Sequence, residues 1–353
     1  MEEAIPQIPH TRLSLVAGST VSVTAKWLDR SVQTDARAKP ARPGVGIASD
    51  ASVGQNASVR LHELGQSGLR VSRVGLGCNN FGRRLDLEGT RAVAEAALGE
   101  GINFFDTADV YGGGDSERFL GESLEGQRDQ VVLATKFGMG DNGRGTRDYV
   151  RRSIAGSLGR LRTDVVDLYY YHRPDGVTPI AETIRAILEL VDDGTVRAIG
   201  VSNFSVEQLE EAVAAGPVAA LQNRYNLLDR AAEQDVLPRC RELGVAFIPY
   251  FPLASGLLTG KYRRGQPPPP GSRLEDRPET LLDEAFDRVE RLEEFASARG
   301  RSLLELAIAG LAAQPAVASV IAGATRPEQV RQNAAAAEWE LSEAELGELL
   351  GSE

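Results

Sequence analysis

The chain has 353 residues, 42% of them hydrophobic and 25% charged, which is an ordinary balance for a globular protein. Its net charge of -11 argues against a nucleic-acid-binding surface, and its sequence lacks an apolar run near the roughly 20 residues that cross a membrane. Cys78 and Cys240 are too few for a disulfide framework or a cysteine-rich metal site. We therefore expect a cytoplasmic protein with no metal and no nucleic-acid or membrane partner, and we leave its oligomeric state open.

Residues 1–57 differ in composition from the rest of the chain. The start MEEA is acidic, whereas a secretory signal begins with basic residues before a continuous apolar core. The later part, ARAKPARPGVGIASDASVGQN, is rich in Ala, Gly, Pro and Ser. This composition predicts a disordered extension, or a start codon assigned too far upstream with translation beginning near Val59. We expect residues 58–353 to form the folded domain without it.

From residue 60 onward, strands and helices are predicted to alternate. The stretch RLHELGQSGLRVS predicts a β-hairpin that turns around residues 65–68. Amphipathic helical stretches then separate eight apolar, β-branched runs: RVGLGC, INFFDT, VVLATK, VVDLYYYH, VRAIGVS, VAALQN, VAFIPYFP and SVIAGA. One such helix, PIAETIRAILELVDDG, carries five apolar residues on one face: Ile180, Ile184, Ile187, Leu188 and Val191. Eight strand–helix units favour the α/β class and a closed (β/α)₈ TIM barrel, with the hairpin closing its bottom.

Ionisable residues stand at the ends of three successive predicted strands. Asp106 ends the second barrel strand, Lys136 ends the third and His172 ends the fourth. Tyr111 lies in the loop just beyond Asp106. Because active sites of these barrels form at the C-terminal ends of the strands, we expect the four side chains to meet at one rim. The remaining carboxylate, Asp109, is interpreted as a loop residue that packs or caps near Tyr111.

One glycine-rich motif has to be weighed separately. The segment GMGDNG, residues 138–143, fits the G-x-G-x-x-G pattern directly after a predicted strand, as a Rossmann fingerprint would. The following helix is predicted to start near Thr146, after the third glycine rather than beneath it. We therefore reject the Rossmann interpretation.

Motifs along most of the chain resemble the aldo-keto reductase superfamily. They occur in the family's order from about residue 60 to the C-terminus. The segments GLLTGKY and GATRPEQ most resemble the branch related to potassium-channel β-subunits. The resemblance rests on these segments: GINFFDTADVYGGGDSERFLGESL, VVLATKFG, VDLYYYHRPD, VRAIGVSNF, LQNRYN, IPYFPLASGLLTGKY and VIAGATRPEQVRQN. It implies an NADPH-dependent oxidoreductase that reduces an aldehyde or ketone to an alcohol.

The same resemblance implies a catalytic tetrad of Asp106, Tyr111, Lys136 and His172. Hydride delivery to a carbonyl carbon leaves negative charge on the oxygen, so a proton donor must meet it there. A tyrosine, with a reference pKa of about 10, is protonated at neutral pH and can be that donor. Lys136 would stabilise the phenolate, Asp106 would hold the lysine, and His172 would orient the carbonyl oxygen.

The resemblance also implies the residues that hold the cofactor. Ser202, Asn203 and Gln222 would bind the nicotinamide carboxamide, and Tyr250 would stack on the ring. The remaining ligands are Leu253 and Ser255 at the pyrophosphate, Lys261 and Arg273 at the 2′-phosphate, and Gly323, Thr325, Gln329 and Asn333 at the adenosine end beside a helix N-terminus. Together they favour NADPH over NADH. In the alternative interpretation, Ser202 and Asn203 cap the helix SVEQLEEAVAA.

The loop of residues 255–279 joins glycines and the run PPPPG to basic residues that include Lys261, Arg263, Arg264 and Arg273. We expect a basic, irregular lid with nothing apolar to hold it shut, which orders over the anionic cofactor. Cys78, Asn79, Asn80 and Phe81 leave the first barrel strand at the rim and are predicted to line the substrate pocket.

Three functions are compatible with these residues. The first is a working carbonyl reductase, which the complete tetrad favours. The second is an NADPH-binding sensor or partner-binding subunit with little turnover, as the channel-associated relatives suggest. The third is a barrel lyase or isomerase that uses Lys136 as a Schiff base, against which the nicotinamide motifs count.

Overall fold

The computed structural model describes residues 60–140, 142–275 and 283–351. The predictions for residues 1–57, and for the part of the basic loop beyond residue 275, lie outside the described residues. The described strands are β1 (Leu61–Glu63), β2 (Arg70–Ser72), β3 (Val74–Gly77), β4 (Phe104–Asp106), β5 (Val132–Phe137), β6 (Val166–Tyr171), β7 (Val196–Ser202), β8 (Val218–Arg224), β9 (Ala246–Tyr250) and β10 (Val320–Gly323).

Strands β3 to β10 form one parallel sheet in the order β10-β3-β4-β5-β6-β7-β8-β9. The ring is completed by Phe247 of β9. Its backbone nitrogen donates to the carbonyl of Ala316 at 2.8 Å, and its carbonyl accepts from the nitrogen of Ala318 at 3.2 Å, just before β10. The sheet therefore curls into an eight-stranded barrel, which confirms the predicted (β/α)₈ fold.

The helices cover the outside of the barrel. They are α1 (Leu87–Gly99), α2 (Asp115–Ser123), α3 (Arg147–Leu161), α4 (Ile180–Asp192), α5 (Val206–Ala215), α6 (Val236–Leu243), α7 (Asp283–Ser297), α8 (Leu303–Ala312), α9 (Pro327–Ala336) and α10 (Glu343–Gly351). Two of them, α7 and α10, are additions to the strand–helix alternation. In the part of the chain that the structure describes, no helix combines the length and apolarity needed to cross a membrane.

Two local predictions can be compared directly with these helices. In α4, Ile180, Ile184 and Ile187 are buried as predicted, whereas Leu190 is buried more deeply than Leu188 or Val191. Helix α3 begins only after Thr146, beyond the glycines of GMGDNG. No helix N-terminus therefore lies beneath those glycines, and the rejection of a dinucleotide fingerprint there is confirmed.

The hairpin of β1 and β2 closes the bottom of the barrel. Leu64 and Val71 are fully buried and belong to one apolar cluster with barrel residues such as Phe104 and Tyr170. At the hairpin turn, a Cβ on Gly65 would lie 2.3 Å from the carbonyl oxygen of Ala219, so the backbone approaches β8 closely and the site needs glycine. The predicted plug is confirmed.

Candidate active site

The four predicted catalytic residues converge at the C-terminal rim. Asp106 is the last residue of β4, Lys136 the next-to-last of β5, and His172 follows β6. Tyr111 opens a short 3₁₀ turn that leads into α2, and the glycines after it have positive φ angles. A Cβ on Gly112 would lie 2.9 Å from the carbonyl oxygen of Phe81, so only a glycine lets the turn bring Tyr111 over the barrel mouth.

Lys136 and Asp106 form a buried ion pair beneath this turn. The lysine Nζ donates to Asp106 Oδ1 at 2.5 Å and to the carbonyl of Thr107 at 2.9 Å. The two side chains are 0% and 4% exposed, so water contributes almost nothing to their stabilisation. Burial by itself lowers the pKa of Lys136, but the charge of Asp106 and the phenol of Tyr111 outweigh it and raise that pKa. Lys136 is therefore an ammonium at neutral pH.

Gln222 links this pair to the predicted cofactor side. Its Nε2 donates to the second carboxylate oxygen of Asp106 at 2.9 Å. Both oxygens of Asp106 are thus occupied, one by the ammonium and one by an amide. The bond was not predicted, because the sequence places the two residues 116 positions apart.

Tyr111 and His172 face each other above the lysine. The centroid of the Tyr111 ring lies 5.2 Å from Lys136 Nζ and 6.0 Å from the centroid of the imidazole, with the two rings edge to face. Burial raises the pKa of Tyr111, and the ammonium of Lys136 works against that rise. The phenol therefore keeps its proton at neutral pH while a positive charge lies next to it.

His172 is held as a neutral imidazole. Burial, and then the charges of Lys136 and Arg173, lower its pKa to about 3. Its backbone nitrogen donates to the carbonyl of Phe137 at 2.8 Å, whereas its buried Nδ1 has no hydrogen-bond partner. A neutral imidazole carries one donor and one acceptor nitrogen, so the ring can hydrogen-bond a carbonyl oxygen without adding charge.

Ser202, Asn203 and Tyr250 form a second connected group, at the ends of β7 and β9. Tyr250 donates its hydroxyl proton to Asn203 Oδ1 at 2.8 Å, and Asn203 Nδ2 donates to the carbonyl of His172 at 2.9 Å and to Ser202 Oγ at 3.1 Å. The N-cap of α5 is Ser205, which forms a capping box with Gln208. The interpretation of Ser202 and Asn203 as helix caps is therefore wrong.

Leu253 and Ser255 lie in the turn that follows β9. Ser255 and Gly256 have φ angles of 59° and 94°, and Gly256 donates its amide to the carbonyl of Leu253 at 2.7 Å. Lys261 packs over this turn. Its Nζ lies 2.8 Å from the position that a Cβ on Gly256 would occupy. Successive backbone N–H groups in a turn can form a concavity that binds anions.

The basic loop is more firmly held than expected. Tyr262, Leu274 and Phe286 of α7 form a buried apolar cluster, which Leu257 joins from the side. The amide of Leu274 also donates to the Tyr262 hydroxyl at 3.2 Å. The prediction that nothing apolar holds this loop is therefore wrong, since the loop and α7 share a small core of their own.

The four basic residues in the described part of the loop fall into two kinds. Arg263 pairs with Glu293 at 2.6 Å, and Arg264 binds three carboxylates of α7: Asp283, Asp287 and Glu290. Lys261 and Arg273, in contrast, make no ion pair with any residue that the structure describes. Burial, and then repulsion from Arg84 and Arg83, lower the pKa of Arg273. Among the described residues of the loop, the two cations without an ion pair are therefore the two that the family resemblance links to a phosphate.

The predicted adenosine-end residues lie together where β10 meets α9. Gly323 ends β10, and the amide and hydroxyl of Thr325 both donate to Gln329 Oε1, at 2.8 and 3.1 Å. Asn333 is buried one turn further along α9. Asn80, from the loop after β3, donates to the carbonyl of Ala324 at 3.2 Å and ties the first barrel loop to this corner.

Asp109 packs behind the Tyr111 turn, in agreement with its interpretation as a packing residue. Its amide donates to the carbonyl of Lys136 at 3.0 Å, and its Oδ2 accepts from Ser153 at 3.2 Å. Its buried Oδ1 has no partner. Burial, and then the charge of Glu117, raise the pKa of Asp109 to about 6. Across the described segments, no group of three or more His, Cys, Asp or Glu is arranged to hold a metal ion.

With this geometry in place, comparisons with known proteins identify the chain. A sequence model of the Aldo/keto reductase family matches residues 73–351, and the chain belongs to that family. It is therefore an oxidoreductase of a family whose members generally use NAD(P)H.

Individual relatives agree with this assignment. A probable voltage-gated potassium channel subunit beta of Oryza sativa subsp. japonica is 38% identical over 293 residues, which are 76% of this chain and 88% of that protein, so the predicted branch is confirmed. Among solved structures, aldo-keto reductase AKR11C1 from Bacillus halodurans (holo form) has a TM-score of 0.71 and 31% identity, covering 83% of this chain and 95% of its own. The glycerol dehydrogenase AKR11B4 from Gluconobacter oxydans has a TM-score of 0.71 and 30% identity, with coverages of 84% and 96%.

Proposed function

We propose that this protein is an NADPH-dependent reductase that converts an aldehyde or ketone to the alcohol, with Tyr111 as the general acid. The observation that carries the proposal is the fully buried ammonium of Lys136, held by Asp106 beneath the Tyr111 ring. A buried charge is costly to maintain, and this one lies where a phenolate would form. A tyrosine that acts as an acid requires a positive charge in this position, because the charge stabilises the phenolate.

The proton step follows from these contacts. Tyr111 donates its phenolic proton to the carbonyl oxygen of the substrate as negative charge develops there. Lys136 lies beside the resulting phenolate and stabilises it, so the same charge that opposes the rise in the pKa of Tyr111 promotes proton release. Asp106, with Gln222 on its other oxygen, holds the ammonium in position and keeps it charged.

His172 orients the substrate. Its ring lies edge to face with Tyr111, so a carbonyl oxygen can contact the imidazole and the phenol together. Because the pKa of His172 is about 3, the ring is neutral throughout the physiological range and supplies a hydrogen bond without competing for the proton. The substrate oxygen then takes its proton from Tyr111 alone.

The residues present fit a nicotinamide nucleotide. When bound, it would supply the hydride. Ser202, Asn203 and Gln222 offer amide and hydroxyl groups of the type that pair with a carboxamide, and Tyr250 offers a partly exposed ring beside them. Leu253 and Ser255 stand at the turn for the pyrophosphate. Gly323, Thr325, Gln329 and Asn333 stand at the adenosine end.

Lys261 and Arg273 favour NADPH over NADH in this proposal. Both lack a carboxylate partner among the described residues, whereas the neighbouring Arg263 and Arg264 are neutralised by α7. NADPH differs from NADH by one phosphate, and charge-assisted contacts to it would contribute about 1.5–3 kcal/mol each. The pattern of paired and unpaired cations therefore supports the phosphorylated cofactor.

A second candidate function is an NADPH-binding sensor or partner-binding subunit with little turnover. It is favoured by the 38% identity to a probable potassium channel subunit beta. The lyase or isomerase that would use Lys136 as a Schiff base is disfavoured, because the lysine is a paired ammonium with a raised pKa and not a free amine.

One experiment separates these functions. The purified protein is titrated with NADPH and then assayed for NADPH oxidation against a panel of aldehydes and ketones. A reductase turns over at least one carbonyl, and the rate disappears in Tyr111→Phe. Tight NADPH binding with almost no turnover across the panel would establish the sensor instead. Borohydride trapping of a substrate on Lys136 would point to the Schiff-base chemistry.

A further inference from the structure

Tyr170 lies inside the barrel, on the strand next to Lys136. In the parallel pairing of β5 with β6, Lys136 stands directly opposite Tyr170. Successive residues of a strand point to opposite faces of the sheet. Tyr169 and Tyr171 pack in the large apolar cluster that the helices share, whereas Tyr170 packs in the interior cluster with the hairpin plug. The side chains of Tyr170 and Lys136 therefore share the inner face of the barrel.

The next strand leaves room for the Tyr170 ring. Tyr170 pairs with Gly200 of β7, and Gly200 pairs with Ala220 of β8. A Cβ on Gly200 would lie 2.4 Å from Cδ1 and 2.5 Å from Cε1 of Tyr170, which is closer than carbon atoms can pack. The ring therefore occupies the space that any larger side chain at residue 200 would need, and it is fully buried there.

The ammonium of Lys136 lies within cation–π range of this ring. Its Nζ is 5.6 Å from the ring centroid of Tyr170 and 5.2 Å from that of Tyr111. A cation within about 6 Å over an aromatic ring is attracted by it, most strongly where water is excluded. Lys136 and Tyr170 are both 0% exposed. Two tyrosines therefore stabilise the lysine, and only one of them belongs to the predicted tetrad.

The hydrogen bonds of the ammonium explain why an aromatic neighbour matters. An ammonium has three donors, and two of them are used by Asp106 Oδ1 and by the carbonyl of Thr107. A ring face attracts the charge without placing an oxygen acceptor beside it, whereas water or a polar side chain in that space would compete for the third donor. The third donor is thus left for Tyr111, whose phenol contributes to the raised pKa of Lys136.

We propose that Tyr170 is a positioning residue whose ring holds the ammonium of Lys136 against the phenol of Tyr111. It acts through the lysine, because its ring lies in the barrel interior and not at the rim. The proposal rests on the proposed function, in which Tyr111 releases its proton beside that ammonium. Without the ring, the ammonium can shift into the vacated space, and a phenolate at Tyr111 loses part of its stabilisation.

The test measures the ionisation of residue 111 directly. A fluorotyrosine is placed at position 111, because its lower pKa can be titrated while the protein stays folded, and fluorine NMR follows its ionisation. Tyr170→Leu should lower the ionisation constant of this phenol by about tenfold. Tyr170→Phe keeps the ring and should restore the constant. The control is Phe104→Leu, which removes another fully buried ring of the interior cluster and should lower stability without changing the constant.

Each outcome decides the proposal. A change in Tyr170→Leu that is absent from Tyr170→Phe and from Phe104→Leu supports it. No change in Tyr170→Leu overturns it. An equal change in Phe104→Leu also overturns it, since any lost ring would then loosen the site, and an equal change in Tyr170→Phe would make the hydroxyl responsible instead. Unchanged kcat in Tyr170→Leu, for any carbonyl that the protein reduces, would likewise contradict the positioning role.

Two precautions keep this test decisive. If Tyr170→Leu does not fold, Tyr170→Met removes the same ring and fills the space with a more adaptable side chain, and its titration is interpreted in the same way. The titration needs no turnover. A protein that binds NADPH but reduces no carbonyl would therefore refute the proposed reductase and leave the ionisation test of Tyr170 valid.

Discussion

Two regions of the barrel rim handle charge in opposite ways. At the ends of β4 and β5, Lys136 is bound by Asp106 and by the carbonyl of Thr107, and Asp106 is also bound by Gln222. On the basic loop, Lys261 and Arg273 have no carboxylate partner among the described residues. The first region is completed by the chain itself, whereas we propose that an anionic ligand completes the second. Changes at the first should therefore alter rate and stability, and changes at the second should alter affinity.

The largest effect is expected from Tyr111→Phe. This change removes the proposed acid and leaves the cofactor residues intact, so carbonyl reduction should fall by about 10²–10⁴ while NADPH affinity stays within a few-fold. Steady-state kinetics and a binding titration measure the two quantities. The matched control is Tyr149→Phe, which removes the same atom from a partly buried tyrosine on α3. Activity of Tyr111→Phe within about tenfold of the unmodified protein would exclude Tyr111 as the acid.

Asp106→Asn should produce the largest loss of stability. It leaves the ammonium of Lys136 buried without an anion, which typically destabilises by about 3–5 kcal/mol. Urea unfolding of this variant and of Asp106→Asn/Lys136→Met tests the reason, because the double variant buries no unpaired charge and should recover much of the loss. A single variant as stable as the unmodified protein would mean that the pair is not held as tightly as its 2.5 Å contact indicates.

Lys261→Gln/Arg273→Gln should weaken NADPH far more than NADH. Each contact to the additional phosphate is expected to contribute about 1.5–3 kcal/mol, or about tenfold or more in affinity. Unfolding midpoints should barely change, in contrast with Asp106→Asn. Equal loss for both cofactors would show that the two residues serve the fold of the loop instead.

Asp109→Asn tests a smaller effect that depends on pH. The pKa of Asp109 is about 6 in the folded protein against about 3.8 when unfolded, so between these values the folded state binds more protons. Stability therefore falls as pH rises from about 4 to 6, by an amount on the order of 1–3 kcal/mol, and the amide should abolish this contribution. Thermal unfolding of both proteins across this window measures the difference, which should favour the variant above pH 6. Parallel curves would contradict the assignment.

The sequence was sufficient for the barrel and for the positions of the tetrad. Parallel strands all end at one rim, so Asp106, Lys136 and His172 could be placed together once their strands were recognised. The hairpin plug was also predictable, because its turn and alternation are local. Ser202 and Asn203 were the ambiguous case, and the capping box of Ser205 excluded the alternative that they cap α5.

The contacts around the basic loop could not be predicted in the same way. Tyr262, Leu274 and Phe286 are separated by irregular chain, so no periodic pattern marks them as one cluster. The partners of Arg264 lie 19 to 26 residues further along, on a helix that the alternation of strands did not require. The effect of Arg84 and Arg83 on the pKa of Arg273 likewise depends on how distant loops are arranged, which composition does not encode.

The attachment of the basic loop to α7 makes the loop responsive to ionic strength. The side chains of Arg263 and Arg264 are 51% and 35% exposed, and salt screens such pairs as the Debye length falls from about 10 Å at 0.1 M to about 3 Å at 1 M. The apolar contact of Tyr262 with Leu274 and Phe286 does not depend on charge and remains. Added salt therefore weakens the ionic attachment and leaves the apolar cluster in place. The same salt would weaken the proposed attraction of Lys261 and Arg273 for a phosphate, so one solution variable acts both on the attachment of the loop and on its proposed anionic ligand.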